Sequence, residues 1–384
     1  MLIKKSIIFQ LIQPFVKDWL LHFLLLTALI LYSVHPQPFL TISGFIDNYT
    51  IVTITGLMML TKGIEMSGFF NFIGHIVLRY LYNERWLALF LVIFSAFLSA
   101  FLTNDIALFI VIPLTISLRT TSALSINKLI VFQAMAVNAG SLLTPIGNPQ
   151  NILLWHSSKL SFFAFIQQMF PLCIFIMFSL LALTWLCFQN RILVKEPHIQ
   201  GYSYKRQLLW CCIGLYFLFM FSLKMSIPMY GLIIVFIGFL ILERDVLLHI
   251  DWCLIIVFCI VFIDIGLLTR LPALGSFFQE IATLSRDNLY ILGIGFSQVI
   301  SNVPATILLL KYIPSNQFLA YVVNIGGFGF ATSSFANLIA LRMAGNQRIW
   351  FVFHFYSVLF LVWTSVIGAW FLKLDILQYN SILK

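Results

Sequence analysis

Charged side chains are scarce in this chain. Asp, Glu, Lys and Arg make up 9% of its 384 residues, while hydrophobic residues make up 61% and the mean hydropathy is +1.02. Soluble globular proteins usually contain about 25% charged residues. The composition therefore excludes a soluble protein and predicts an all-α polytopic membrane protein.

The chain also lacks the usual motifs of enzymes and metal sites. Its six cysteines lie in apolar segments without CxxC or histidine spacing, which gives no support for a metal site or a disulfide scaffold. HExxH, GxSxG and paired intramembrane aspartates are absent, so an intramembrane protease or lipid transferase is a poor interpretation. We expect no enzymatic activity and no cofactor or metal beyond a coupling Na+ or H+.

The positive charge is explained by membrane topology. The net charge is +9, but the 22 Lys and Arg residues sit almost entirely in short connections between apolar segments. With a cytoplasmic N-terminus and an external C-terminus they favour the cytoplasmic side by about two to one, as the positive-inside rule requires. This predicts a multi-pass protein of the bacterial cytoplasmic (inner) membrane and gives no support for nucleic-acid binding.

Nine segments are long and apolar enough to be membrane spans. They centre on 17–34, 48–61, 128–155, 165–188, 206–223, 228–242, 252–268, 316–341 and 349–372. Two further apolar stretches, 86–118 and 288–312, are interrupted by polar residues at mid-length and are predicted to be re-entrant hairpins, although a continuous span stays open for each. Segments 69–82 and 272–284 are predicted to be amphipathic helices in the membrane plane.

The chain is predicted to contain two inverted repeats, 1–190 and 191–384. Five spans separate the first helix, 17–34, from its proposed counterpart, 228–242, and an odd number inverts the second half relative to the first.

One pattern, Asn-x-Gly-x10-Asn, occurs in both halves. Its defining residues are Asn138, Gly140 and Asn151 in the first copy and Asn324, Gly326 and Asn337 in the second. Polar side chains and helix-breaking residues are costly in lipid, so they are expected to line a protein cavity. Two prolines break helix 128–155 between Thr144 and Pro149, and glycines with Thr332-Ser333-Ser334 break helix 316–341. A break frees main-chain carbonyls and N–H groups for solute binding.

The polar residues in the middle of each hairpin are candidate ion ligands. Thr103-Asn104-Asp105 and Ser301-Asn302 offer hydroxyl and amide oxygens that can coordinate Na+. Asp105 could bind Na+, carry a coupling proton or cap the following helix. Asp264 and the Lys62-Glu65 pair are expected to reach the membrane interface by snorkelling.

These motifs together resemble the ion transporter superfamily. The resemblance rests on Thr-Asn-Asp, on Asn138-Ala-Gly-Ser-x-x-Thr-Pro-Ile-Gly-Asn-Pro-Gln-Asn151 and on Ser-Asn-Val-Pro-Ala-Thr beginning at Ser301. The superfamily includes arsenite and citrate permeases, divalent-anion/sodium symporters and one class of sodium/proton antiporters, and the chain is most similar to its bacterial inner-membrane anion permease branch. The resemblance implies two inverted repeats that meet at a midplane site and an elevator-type movement.

The resemblance also implies specific site residues. The implied cation-binding residues are Thr103, Asn104, Asp105, Gly147, Asn148, Ser301, Asn302, Thr332 and Ser333. The implied anion-binding residues are Asn104, Thr144, Pro145, Asn151, Asn302, Thr332 and Asn337. Dicarboxylate symporters of the family carry Ser-Asn-Thr at both hairpin tips, so the different tips here do not assign a dicarboxylate as the substrate.

We therefore expect a secondary active transporter for a small anion, coupled to Na+ or H+. A sodium/proton antiporter and an arsenite-like efflux permease are the alternatives within transporters, and an ion channel is the alternative outside them. The expected partners are a small anion, a coupling cation and the lipid bilayer, with a homodimer as the expected assembly.

Overall fold

A computed structural model describes residues 13–81, 83–118, 125–192 and 203–382. Within these ranges the chain is helical, and its β pairing is a single bridge between Asn83 and Ile192. The predicted all-α fold is confirmed, whereas the inverted repeats stay a prediction. The chain forms two compact units, the first containing residues up to Met66 and Trp210–Thr283, the second containing Ser67–Leu209 and Leu284–Lys384.

Unit 1 is built mainly from five apolar helices and three shorter helices. Its helices are α1 (Trp19–Val34), α2 (Phe39–Ser43), α3 (Asn48–Ser67), α10 (Arg206–Lys224), α11 (Pro228–Leu242), α12 (Arg244–Leu248), α13 (Trp252–Leu268) and α14 (Pro272–Ile281). Two glycines of α3 allow neighbouring aromatic rings to approach its backbone. A Cβ added at Gly56 would lie 2.3 Å from the ring of Phe219, and one at Gly63 would lie 2.7 Å from Phe239.

Unit 2 contains the polar motifs of both halves. Its helices are α4 (Phe69–Tyr80), α5 (Glu84–Phe101), α6 (Asn104–Ser117), α7 (Ile126–Ser141), α8 (Pro149–Ser158), α9 (Phe162–Cys187), α15 (Arg286–Ile300), α16 (Asn302–Leu309), α17 (Gln317–Ile325), α18 (Phe335–Ala344) and α19 (Arg348–Ile382), with a 3-10 turn at Ala331–Ser333. The arms of each predicted hairpin, α5 with α6 and α15 with α16, contact one another. Both predicted helix breaks are confirmed, because α7 ends before α8 begins and α17 ends before α18 begins.

Four described helices are long and apolar enough to cross a membrane. They are Glu84–Phe101, Phe162–Cys187, Arg206–Lys224 and the Arg348–Lys373 part of α19. Helices α13 and α14 add a fifth if they count as one span bent by 85°. The predicted number of nine stays a prediction: Trp19–Val34 and Pro228–Leu242 are apolar but shorter, the two broken helices consist of short pieces, and Glu84–Phe101 is the first arm of a predicted hairpin.

One interpretation of the charged residues is wrong. Asp264 of α13 is 7% exposed, and neither carboxylate oxygen has a hydrogen-bond partner among the described residues. A snorkelling side chain would instead reach water. Lys62 and Glu65 form an ion pair of 2.9 Å in which both side chains are about one-fifth exposed.

Candidate binding site at two helix breaks

The first break lies between α7 and α8. Pro149 is the first residue of α8, where its missing N–H costs nothing, and the Asn148 side chain caps this helix by accepting from the Asn151 N–H at 2.8 Å. The Asn151 Nδ2 donates to the carbonyl oxygens of Ser141, Leu142 and Thr144 at 3.2, 3.1 and 3.0 Å. One side chain therefore satisfies carbonyls that the break has released from helical bonding.

The second break repeats this arrangement with a different sequence. The Asn337 Nδ2 donates to the carbonyl oxygens of Gly327 and Phe330 at 3.0 and 3.4 Å. These acceptors precede Asn337 by ten and seven residues, the same spacing that Ser141 and Thr144 have to Asn151. Gly329, with φ +106°, lets the chain turn where other residues would be strained.

Asparagines of the two breaks bond to one another. The Asn138 Nδ2 donates to the Asn337 Oδ1, and the Asn324 Nδ2 donates to the Asn151 Oδ1, each at 2.8 Å. Asn138 and Asn151 lie 186 residues before Asn324 and Asn337, so the two contacts are the same contact with the halves exchanged. The geometry thus joins the two copies of the repeated motif into one buried network.

A second pair of contacts is exchanged in the same way. The Asn148 Nδ2 donates to the Asn324 Oδ1 at 3.1 Å, and the Ser334 Oγ donates to the Asn138 Oδ1 at 3.2 Å. Asn148 and Ser334 are again 186 residues apart, and each begins the second piece of its broken helix. We call this network the amide cluster; its members are Asn138, Asn148, Asn151, Asn324, Ser334 and Asn337.

Each hairpin tip is attached to the break of its own half. At the first tip the Asn104 N–H donates to the Gly147 carbonyl at 3.0 Å, and the Thr144 Oγ1 donates to the Ala100 carbonyl at 2.6 Å. At the second tip the Ser301 Oγ donates to the Ser333 carbonyl at 3.5 Å, and the Thr332 Oγ1 donates to the Gln298 carbonyl at 2.8 Å. Four polar elements, two tips and two breaks, therefore belong to one connected structure.

The second tip has a strained backbone. Ser301 has φ +74° and ψ 155°, a region that residues with a Cβ rarely adopt, at a cost of about 1–3 kcal/mol. Its side chain is 5% exposed. Strain of this kind persists where surrounding contacts hold it, and it concentrates at binding sites.

The electrostatic character of the site comes mainly from neutral groups. The cluster is built from amides and hydroxyls, and Asp105, in the first turn of α6, adds a carboxylate that is 8% exposed. Hydroxyl, amide and carboxylate oxygens can coordinate an alkali cation, while main-chain N–H groups at the starts of α8 and α18 can receive an anion. Among the described residues no three His, Cys, Asp or Glu side chains are grouped as metal ligands.

The structure brings most predicted site residues together in unit 2. Those at the first tip and break are Thr103, Asn104, Asp105, Thr144, Pro145, Gly147, Asn148 and Asn151, and those at the second are Ser301, Asn302, Ser333 and Asn337; all are buried. Thr332 is in the second break but its side chain is exposed. The ligands that these residues bind stay a prediction.

Four residues that bond within or to this network are not among the site residues predicted from the sequence. Asn138 and Asn324 were visible as members of the repeated motif, and Ser334 stood in the polar run of the second break. Gln298, which bonds to that break, carries no sequence signal, because a single glutamine in an apolar helix is as often structural.

The family of the chain follows from comparison with known proteins. The citrate transporter family matches residues 7–318. The inner membrane protein YbiR of Escherichia coli K12 is 51% identical over 323 residues, covering 84% of this chain and 87% of that protein. An uncharacterized transporter of Methanocaldococcus jannaschii is 33% identical over 308 residues, covering 77% of this chain and 82% of that protein.

A more distant match is the silicon efflux transporter of Oryza sativa subsp. japonica, which is 29% identical over 122 residues, 31% of this chain and 25% of that protein. The family match extends over most of the chain and includes both tips and the first break, and the two relatives above are similar over 84% and 77% of the chain. The chain is a multi-pass membrane protein that belongs to the citrate transporter family of the ion transporter superfamily, a family of membrane transporters.

Proposed function

We propose that the protein is a secondary active transporter that moves a small anion across the cytoplasmic membrane, driven by Na+ or H+. The observation that carries this proposal is the amide cluster, in which two helix breaks and two hairpin tips are buried together in unit 2. Buried polar main chain of this kind is tolerated at membrane depth only inside protein or around a solute. The similarity to an inner membrane protein supports the location.

The cation would bind where oxygens of a tip and a break converge. The Asn104–Gly147 contact brings the hydroxyl and amide of the first tip to the first break, and the Ser301–Ser333 contact does the same in the second half. The proposed cation ligands are Thr103, Asn104, Asp105, Gly147 and Asn148 in one half-site and Ser301, Asn302, Thr332 and Ser333 in the other.

The anion would be bound without a cationic side chain. The contacts that join the amide cluster are made by amides and hydroxyls, so we propose that the negative charge is met by N–H groups at helix starts and by the bound cation. This arrangement suits a small anion. The proposed anion ligands are Asn104, Thr144, Pro145, Asn151, Asn302, Thr332 and Asn337.

Transport would follow an elevator mechanism. Both breaks and both tips belong to unit 2, although they come from opposite halves of the chain. A site contained in a single unit can be carried by that unit as a rigid body. We propose that unit 2 moves against unit 1, and that the protein forms a homodimer of chains with two inverted repeats.

A thermal-shift screen of the purified protein tests the proposal. Citrate, phosphate, sulfate, arsenite and silicic acid are the probes, each added in NaCl and in choline chloride of equal ionic strength. We expect one anion to raise the melting temperature in Na+ and to raise it less in choline. Asn302→Ala should remove this shift, while Asn288→Ala, whose side chain is exposed on α15, should keep it. An equal response of both variants would contradict the assignment.

The antiporter alternative depends on Asp105. In an antiporter Asp105→Asn would abolish pH-dependent Na+ flux in vesicles and no anion would be required. In an anion carrier the same variant would still bind the anion with altered coupling. Na+ flux that persists without any anion would favour the antiporter over our proposal.

A further inference from the structure

Gln298 bonds to the second break through every polar atom of its side chain. Its Nε2 donates to the carbonyl oxygens of Gly326 at 2.8 Å and Phe328 at 3.0 Å. Its Oε1 accepts from the Phe330 N–H at 2.9 Å. Gln298 lies on α15, the first arm of the second hairpin, four residues before Asn302. One side chain thus bonds three main-chain groups of a segment that has left helical geometry.

Two further N–H groups of this break are bonded to α19. The Gly329 N–H donates to the Ser357 Oγ at 2.9 Å, and the Ala331 N–H donates to the His354 Nε2 at 3.4 Å. Helices α15 and α19 therefore hold the segment from outside its own broken helix. Of these contacts, only those of Gln298 link the break to the hairpin.

The first break is held differently. Its carbonyls bond to Asn151 of the same broken helix, as those of the second break bond to Asn337, so the difference between the breaks lies in the hairpin. The position equivalent to Gln298 is Ala100, because Asn104 and Asn302 are 198 residues apart, as are Ala100 and Gln298. Ala100 contributes only its carbonyl, which accepts from Thr144. The two halves are therefore alike in the amide cluster and unlike in how the hairpin holds the break.

We infer that Gln298 is a positioning residue that holds the second break in its solute-binding conformation and makes it move as one body with the second hairpin. This inference rests on the proposed function. Besides the Gln298 side chain, the hairpin bonds to this segment through the Gln298 carbonyl, which accepts from the Thr332 Oγ1 at 2.8 Å, and through the longer contact of the Ser301 Oγ with the Ser333 carbonyl at 3.5 Å. Both of these contacts lie in the later part of the segment, so Gly326, Phe328 and Phe330 depend on the Gln298 side chain for their bonds to the hairpin. Three bonds from a neighbouring side chain remove most of the conformers that a glycine-rich segment would otherwise visit.

The role predicts a local effect on hydrogen exchange. The purified full-length protein in lipid nanodiscs would be compared with Gln298→Met, which keeps the length of the side chain but has no donor, and with Gln298→Glu, which keeps the acceptor for Phe330. Gln167→Met, on an exposed position of α9, is the matched control. We expect exchange in residues 326–333 to become about tenfold faster in Gln298→Met, which corresponds to losing one or two net hydrogen bonds. Gln298→Glu should be intermediate, and residues 142–148 should not change.

A sodium titration separates positioning from simple structural support. The probe is NaCl at constant ionic strength with choline chloride, read as the midpoint of the rise in melting temperature. Gln298→Met should raise this midpoint about tenfold, with no change in Gln167→Met. Faster hydrogen exchange with an unchanged sodium midpoint would overturn the positioning role. Unchanged hydrogen exchange would show that Gln298 does not hold the second break. If Na+ does not change the melting temperature of the wild-type protein, sodium coupling in the proposed function fails, and the binding part of this inference fails with it. Hydrogen exchange in residues 326–333 still shows whether Gln298 holds the second break.

Discussion

At the scale of single residues, the site depends on side chains that carry a donor and an acceptor together. An asparagine can bond to a released carbonyl with its Nδ2 and receive a bond from another asparagine at its Oδ1, as Asn151 does. A buried polar group without a partner costs about 1–3 kcal/mol, so each member of such a network protects its neighbours. This explains why asparagine recurs at both breaks.

Asn151→Ala should be strongly destabilising. The change removes the side-chain donor of three buried carbonyls, of which that of Thr144 keeps the Gly147 N–H at 3.3 Å, and it removes an acceptor of Asn324, for a loss of about 2–5 kcal/mol. We expect the melting temperature in nanodiscs to fall by roughly 5–15 °C, given the size of unit 2. Asn151→Asp keeps the acceptor, and protonation of its carboxyl at pH 5 would also supply a donor. The melting temperature of this variant should therefore fall less at pH 5 than at pH 8. Asn288→Ala should change the stability by less than about 0.5 kcal/mol, and an equal loss in both alanine variants would show that the network is not stabilising.

At the scale of elements, the local chemistry of proline and glycine predicted much of the architecture. The spans 228–242 and 252–268 agree with α11 and α13, and the break before Pro149 was visible because proline cannot continue a helix. The pairing of Asn138 with Asn337 could not be predicted, since partners 199 residues apart are selected by tertiary packing. The contacts of Gln298 were hidden for the same reason.

Close approach of α5 and α7 depends on Gly140. A Cβ at this position would lie 2.1 Å from the Ala96 carbonyl oxygen and 2.6 Å from its Cα, so Gly140→Ala must separate two backbones. We expect a loss of at least about 1–3 kcal/mol, as for other overpacked sites. The measurement is the thermal midpoint of the purified protein.

Gly295→Ala is the matched control, because it also lies inside a helix of unit 2 but has no atom within 4 Å of an added Cβ. Alanine there should leave stability unchanged or raise it by up to about 1 kcal/mol through helix propensity. Similar losses in the two variants would show that the contact with Ala96 does not decide the effect.

At the scale of the whole molecule, the compact units do not follow the order of the sequence. Unit 1 takes its helices from both predicted repeats, 1–190 and 191–384, and so does unit 2. The repeated motifs in the sequence predict two consecutive halves. They do not predict that each compact unit combines helices of both halves, because that depends on tertiary contacts. The polar motifs, in contrast, all fall in unit 2, because buried amides require hydrogen-bond partners and these motifs supply them to one another.

The predicted membrane topology can be tested by cysteine labelling. Helix α9 has 26 residues and is about 39 Å long, and the two pieces α7 and α8, of 16 and 10 residues, have a similar combined length. Both lengths exceed the hydrocarbon thickness of about 30 Å. In a variant without the six native cysteines, Ser157→Cys should therefore be labelled by a membrane-impermeant maleimide in intact cells. Gln189→Cys and Gln347→Cys should be labelled only after permeabilisation.

This pattern follows from the positive-inside rule combined with one crossing by the broken helix and one by α9. Labelling of Ser157→Cys and Gln189→Cys from the same side would show that α9 does not cross. Labelling of Gln189→Cys and Gln347→Cys alone in intact cells would reverse the predicted orientation while keeping both crossings. A cytoplasmic protein that stays unlabelled in the same cells serves as the control for membrane integrity. Because Ser157 lies in the last turn of α8, the helix that begins at the first break, its side of the membrane also decides whether the two pieces α7 and α8 act as a single discontinuous span.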